Sequence, residues 1–350
     1  MNIIDLFAGC GGLSRGFMNA DFEILAGVDN DKMALATFEL NHNGAIALNL
    51  DLSNRETLEK INAAANQKAI DVIIAGPPCQ GFSLTGPRDF DDARNSLYLA
   101  VFHAVGFYQP KAFIIENVPG MATLYKGAIK SEILKRFDLL GYNIVSEVLC
   151  AADYGVPQMR KRLIFMGIHK KIGFPKFPEP LGKSYVTCRQ AIGDLPPRTV
   201  EIGLEEDVYT TEPFTEYQRK MRHDCTVLYN HVATRHKQFV IDVISQVPEG
   251  GNHKSLPKGV GKSRKFNEAW TRYHGDKPSK TIDTGHRNHF HYEYNRVPTI
   301  RENARLQSFS DDFIFLGTKT QQNRQVGNAV PPLLGYYLGK ELRKIIRGAK

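Results

Sequence analysis

The chain has 350 residues, enough for one large or two modest domains. Hydrophobic residues make up 42% and charged residues 23%, which excludes disorder, collagen and coiled coil as the main character. Lys and Arg number 45 against 37 Asp and Glu, and this +8 balance favours a polyanionic partner. The apolar opening lacks a basic n-region and carries Asp5, so it does not read as a signal peptide. The longest apolar stretch, residues 97–118, is broken by His103, Gln109, Pro110 and Lys111 and cannot span a bilayer. Five widely spaced cysteines with no CxxC argue against a disulfide framework or zinc ribbon and for a reducing cytoplasm.

Apolar runs at 3–7, 24–28, 72–75, 112–115 and 144–148 predict buried strands. Helical stretches at 32–40, 55–65, 97–108 and 130–140 alternate with them, and 163–168 adds a strand after a tight loop. This alternation predicts an α/β fold, a doubly wound parallel sheet with helices on both faces. From about Gly173 to about Pro298, prolines and glycines break the periodicity and predict a smaller, irregular domain. A helix at 301–307 and another after Pro332 close the chain. The expected division is 1–187 with 322–350, and 188–321.

In open α/β sheets, ligands bind at the carboxyl ends of the strands, and the unusual residues gather there. Gly9, Cys10, Gly11 and Gly12 follow the first strand, where glycines let backbone amides approach a ligand. Asp29, twenty residues after Gly9, could take a ribose hydroxyl. The loop is equally a plain tight turn, since Ser14 stands where a nucleotide fingerprint needs a third glycine. The segment from Gly76 to Ser83 is more specific. Pro77 and Pro78 stiffen a loop that ends on Cys79. A thiol with a pKa near about 8.5 is a few per cent thiolate at neutral pH yet strongly nucleophilic, so Cys79 is the candidate nucleophile. Cys150 and Cys188 read as buried fillers. Glu116 directly follows an apolar strand, where desolvation favours its protonated form and suits it to donate a proton; a carboxylate at a helix N-terminus fits the same position. Arg160 and Arg162 alternate before a strand, which puts two guanidiniums on one face; they could orient a carboxylate, a base carbonyl or a phosphate, or form a solvated basic edge.

In combination these motifs resemble the DNA (cytosine-5)-methyltransferase family, in its motif order and over nearly the whole chain. The matches are Asp5 to Ser14, Pro78-Cys79-Gln80, Glu116-Asn117-Val118, Gln158 to Arg162, Arg301 to Phe309, and Gln325 to Pro332. Asn303 and Ser310 depart from the family's common Ala and Pro, away from the catalytic positions. The resemblance implies a Rossmann-like catalytic domain of the S-adenosylmethionine-dependent type and a small target-recognition domain. It implies that Cys79 adds to C6 of a flipped cytosine, Glu116 protonates N3, Arg162 holds the base carbonyl and Arg160 orders that site. The implied cofactor contacts are Phe7, Ala8, Gly9, Cys10, Gly11, Gly12, Asp29, Asn30, Asp51, Leu52, Pro78, Asn328, Ala329 and Val330. Gln80, Ser83 and Arg94 fall in the loop that closes over the base in that family.

Residues 252–296 hold ten Lys/Arg against four acids, six of the eight net charges, with interleaved aromatics. This window reads as the duplex DNA face, with Lys262, Arg264, Lys265, Arg272 and Arg287 as contacts; the aromatics equally suit a core. His286, His289 and His291 read as phosphate contacts or packing, and no metal is expected. With nothing large before the first motif, the chain resembles the bacterial restriction-modification type. That implies a monomer on DNA in the prokaryotic cytoplasm, with a cognate restriction endonuclease as functional partner. Competing readings are a tRNA cytosine methyltransferase, a DNA-binding relative without catalysis, and a nicotinamide oxidoreductase, which fails at Ser14.

Overall fold

The computed structural model describes residues 1–54, 56–78, 96–260, 269–285 and 288–348. The chain divides into two compact units. The first comprises Met1–Cys150, Lys161–Pro180 and Val330–Lys350; the second comprises Ala151–Arg160 and Leu181–Ala329. The sequence boundaries at 187/188 and 321/322 differ from these. Ten residues, 151–160, leave the first unit and join the second, and the second unit continues through the helix before Val330.

In the first unit β1 (Asn2–Leu6), α1 (Gly12–Asn19), β2 (Glu23–Asp29), α2 (Lys32–Asn41), β3 (Ile46–Asn49), α3 (Thr57–Ala64), β4 (Val72–Ala75), α4 (Ser96–Tyr108) and β5 (Ala112–Asn117) alternate. Then come α5 (Ala128–Leu139) and β6 (Tyr142–Cys150), and, after β7 (Gln158–Met159) of the second unit, β8 (Lys161–His169). The strand order is β3-β2-β1-β4-β5-β8-β6. Every residue of β4 and β5 is buried, as strands covered on both faces require. Ile4, Leu6, Ile73, Phe113, Ile115 and Phe165 belong to one core with Val101, Ile133 and Phe137 from the helices. The sheet is parallel from β3 to β5, but β8 runs antiparallel to both β5 and β6. This corrects the all-parallel expectation. The ten residues between β6 and β8 are shorter than a crossover needs, so the chain reverses instead. The last helix, α11 (Pro332–Gly348, labelled in chain order with the helices below), packs along α1.

The second unit consists of short elements: α6 (Cys188–Ile192), β9 (Glu206–Asp207), α7 (Glu216–Arg222), β10 (Leu228–Tyr229), α8 (Gln238–Ser245), β11 (Thr271–Arg272), β12 (Ser279–Lys280), β13 (His289–Phe290), α9 (Ile300–Leu306) and α10 (Lys319–Asn328). Capping boxes open α6, α7, α9 and α10, each with a Thr three residues before Gln or Glu. With few long apolar runs, the unit uses buried charge as well. Arg305 donates to Asp194 at 2.5 Å and to Asp311 at 2.6 Å, all with 0% side-chain exposure. Among the described residues no helix is long and apolar enough to cross a membrane.

Candidate active site

The carboxyl ends of β1 and β2 meet in one hydrogen-bonded turn. After Leu6 the backbone enters left-handed conformations at Phe7, Gly9 and Gly11, with φ of 60°, 55° and 89°. The Gly9 N–H donates to Asp29 Oδ2 at 2.8 Å, and the Asp31 N–H donates to Oδ1 at 2.9 Å. Asp29 thus holds the glycine loop against β2. Gly11 tolerates no side chain: a Cβ would lie 2.2 Å from His42 Cε1 and 2.7 Å from Phe38. His42 lies against Phe38 with 4.2 Å between ring centroids, and its Nε2 is 3.1 Å from the Gly11 carbonyl. Burial pulls its pKa down to about 4. At Gly9, by contrast, a Cβ would meet nothing within 4 Å, so the loop is open there. Cys10 is buried and burial pushes its thiol up to about 12, which removes it as a nucleophile.

Ala8 and Gly12 complete the loop, Gly12 as the first residue of α1. Asn30 is exposed beyond β2. The Leu50 N–H donates to the Asp29 carbonyl at 3.2 Å and brings the next loop alongside. There Asp51 is exposed and Leu52 buried. The Ser53 amide and hydroxyl hold the Asp51 carboxyl below its usual range. Leu52, Ser53, Asn54 and Leu58 line a cleft together with Leu99, Ala100 and His103 of α4. The sequence reading took α4 as a plain helix and missed those three; their signal was weak because α4 is apolar nearly all round.

A second strand-end cluster forms around Glu116. Glu116 and Asn117 end β5. Arg162 Nε lies 2.7 Å from Glu116 Oε1, each side chain 12% exposed. Burial lowers the Arg162 pKa, and the Glu116 charge acts in the opposite direction. Glu116 is therefore desolvated and ion-paired at once, where the sequence had suggested burial alone. The Asn117 amide donates to the Pro77 carbonyl at 3.1 Å, and a Cβ on Gly76 would stand 3.5 Å from Glu116 Oε2. The backbone of Gly76, Pro77 and exposed Pro78 thus runs beside the carboxylate and leads directly to Cys79. Cys79 itself lies outside the described residues, as do Gln80, Ser83, Arg94, Lys262, Arg264, Lys265, His286 and Arg287.

Two expectations change. Arg160 and Arg162 do not share one face of a strand, because Arg160 precedes β8. The fully buried Arg160 donates to the Ile282 carbonyl at 3.2 Å and the Gly327 carbonyl at 2.8 Å, inside the second unit. Arg272 is not presented as a DNA contact. It is 5% exposed and donates to the carbonyls of Val247 at 2.7 Å and Ile244 at 2.6 Å and to Asn295 Oδ1 at 2.8 Å. A guanidinium so committed braces α8, and Tyr273, Phe290 and Tyr292 of the same window are buried as well. His289 and His291 are packing residues, His291 stacked between Tyr292 and Tyr294. Lys254, Lys258, Lys277 and Lys280 remain exposed in the basic window. Asn328 ends α10 and is exposed, while Ala329 and Val330 are buried.

The chain is 38% identical over 352 residues to the Type II methyltransferase M1.HphI of Haemophilus parahaemolyticus, covering 99% of this chain and 87% of that protein. It is 36% identical over 370 residues to the Type II methyltransferase M.DdeI of Desulfomicrobium norvegicum, covering 98% and 88%. Its fold matches the crystal structure of an E. coli prophage protein described as a DNA modification methyltransferase, with TM-score 0.80, 28% identity and 99% of both chains covered. The family model for C-5 cytosine-specific DNA methylases matches residues 1–344, and the chain belongs to that family.

Proposed function

We propose that this enzyme transfers a methyl group from S-adenosylmethionine to C5 of a cytosine flipped out of a specific duplex DNA sequence, through a covalent Cys79–C6 adduct. The observation that carries the reading is the Glu116–Arg162 pair beside the Gly76–Pro78 backbone, one residue from Cys79. C5 of cytosine is a poor nucleophile. Addition of the Cys79 thiolate at C6, with a proton delivered to N3 by Glu116, turns C5 into an enamine carbon. After methylation, transfer of the C5 proton to a base expels the thiolate, and return of the N3 proton to Glu116 restores the neutral ring. Arg162 keeps Glu116 oriented and stabilises charge on the base carbonyl; Arg160 orders the segment before it.

The residues at the other strand ends fit S-adenosylmethionine. The glycine loop is open at Gly9, Asp29 and Asp51 offer acceptors for hydroxyls, and the cleft beside Leu52 suits a flat apolar group. Phe7, Ala8, Gly9, Cys10, Gly11, Gly12, Asn30, Pro78, Asn328, Ala329 and Val330 complete the proposed contacts. When bound, the cofactor supplies an electrophilic methyl group. We further propose that the enzyme acts as a monomer on DNA in a prokaryotic cytoplasm and protects that DNA from a cognate restriction endonuclease.

The test is product analysis. The protein and its Cys79→Ala variant are incubated with S-adenosylmethionine and mixed-sequence duplex DNA, with tRNA in parallel. Nucleosides are then identified by mass spectrometry. The expected result is 5-methylcytosine in DNA with the native protein and none with the variant. Methylation that survives Cys79→Ala overturns the mechanism, and product in tRNA alone overturns the substrate.

A further inference from the structure

Two glutamines that the proposed mechanism does not use form a directed chain of amides inside the second unit. Gln158 and Gln307 are both 0% exposed. Gln158 Oε1 accepts from the Ile282 N–H at 2.9 Å. Its Nε2 donates to the Leu306 carbonyl at 3.2 Å and to Gln307 Oε1 at 2.8 Å. Gln307 Nε2 donates to the carbonyls of Val326 at 2.7 Å and Ala329 at 3.3 Å. Both side-chain amides therefore spend both donor hydrogens on buried partners. Arg160 runs alongside and holds the Ile282 and Gly327 carbonyls.

The receiving end is the last turn of α10. Carbonyls there lack intrahelical partners and need donors from elsewhere. Gln307 supplies two and Arg160 one, so the carbonyls of Val326, Gly327 and Ala329 are all fixed from one side. Gly327 allows the approach: a Cβ there would stand 2.3 Å from the Asp283 carbonyl oxygen. These residues flank Asn328 and include Ala329.

We propose that Gln307 is a positioning residue for the cofactor: it sets the backbone at Asn328–Val330 by holding the Val326 and Ala329 carbonyls, with Gln158 fixing its amide. This rests on the reading above that Asn328–Val330 touches S-adenosylmethionine. Gln307 acts through the backbone, so its loss weakens cofactor binding more than DNA binding.

S-adenosylhomocysteine binding by calorimetry and DNA binding by fluorescence anisotropy test this on the full chain. For Gln307→Leu, the expected result is a roughly tenfold or larger loss of S-adenosylhomocysteine affinity with DNA affinity held within about twofold. Equal losses for both ligands, or none, overturn the proposal. Gln307→Glu keeps the acceptor for Gln158 and tests the donor. Burial raises the carboxyl pKa, so at low pH its O–H still reaches a carbonyl and at high pH it cannot. Its S-adenosylhomocysteine affinity is expected to fall about tenfold from about pH 5 to about pH 8, beyond any change in the native protein. A variant that tracks the native protein across that range overturns the proposal even if Gln307→Leu fails to fold. A native protein that binds no S-adenosylhomocysteine removes the cofactor reading itself, and the proposal with it.

Discussion

Two acids near strand ends of the first unit sit in opposite company. Asp5 is buried with the Ser14 hydroxyl donating at 2.6 Å, and burial pushes its pKa up to about 7. Glu116 is nearly as buried but faces the Arg162 guanidinium. The two carboxyls differ in their company, a hydroxyl for Asp5 and a guanidinium for Glu116. Glu116→Gln keeps the shape, removes the transferable proton and leaves Arg162 without its counter-charge. Single-turnover methyl transfer is expected to slow by about 10²- to 10⁴-fold, with DNA affinity little changed. A rate within about threefold of the native enzyme would show that the N3 proton comes from elsewhere. The sequence pattern put Glu116, Arg162 and Gly76–Pro78 beside apolar strands, and β5, β8 and β4 lie there. It put Arg160 and Arg162 on one face, but an i, i+2 pair shares a face only when both residues lie in the strand. It misassigned Arg272 because charge composition does not say which cations turn inward to cap orphan carbonyls. His42 carried no signal at all: its role appears only when the end of α2 comes back against Gly11.

At the scale of elements, the long buried strands were the legible part. β4 matched its expected span of 72–75, and β1, β2, β5 and β6 were located to within two residues at each end. β3 was missed because it is a four-residue edge strand with no fully buried position. The direction of β8 was not legible either, since apolar runs carry no polarity; the short return from β6 decides it. Helix pairing depends on still finer detail. Gly16 of α1 meets Pro332 and Gly335 of α11 so closely that a Cβ would lie 2.4 Å from the Pro332 carbonyl oxygen and 2.7 Å from Gly335 Cα. Both obstacles are backbone and cannot rotate away. Gly16→Ala, which raises helix propensity in an isolated helix, is therefore expected to destabilise the first unit by about 1–3 kcal/mol. Urea denaturation followed by circular dichroism reads this, and a variant as stable as the native protein would mean that α1 and α11 are not packed this closely.

Across the whole molecule, the shifted titrations divide unevenly between the two units, and acid should expose the difference. In the first unit His42 is pulled down to about 4 and Asp5 pushed up to about 7. A buried neutral histidine contributes stability that is present above about 6.5 and lost as pH falls toward its folded pKa, because the unfolded chain binds the proton first. A carboxyl with a raised pKa does the reverse: its penalty is absent at low pH and grows as pH rises toward 7. Each proton is worth up to about 1.4 kcal/mol per pH unit, so these two nearly cancel between about pH 4 and 6.5. In the second unit burial pulls His231 down to about 4 and His291 to about 3. Among the described residues of that unit no carboxyl pushed upward opposes them; Asp207, Glu302 and Asp311 are all held low. Glu302, ion-paired with Arg296 at 2.6 Å and held below the usual carboxylate range, adds its own loss at still lower pH. The second unit should therefore be the acid-labile one. The chain has one tryptophan, Trp270, packed on the small core of that unit, so its emission reports the second unit alone. In a urea series at falling pH, the Trp270 midpoint is expected to drop below about pH 6 before the circular dichroism signal of the sheet does. Asp5→Asn removes the opposing term in the first unit and should make the sheet acid-sensitive as well, drawing the two transitions together. Coincident transitions in the native protein, or a sheet transition in Asp5→Asn as insensitive to acid as the native one, would show that the buried histidines and Asp5 do not govern the response.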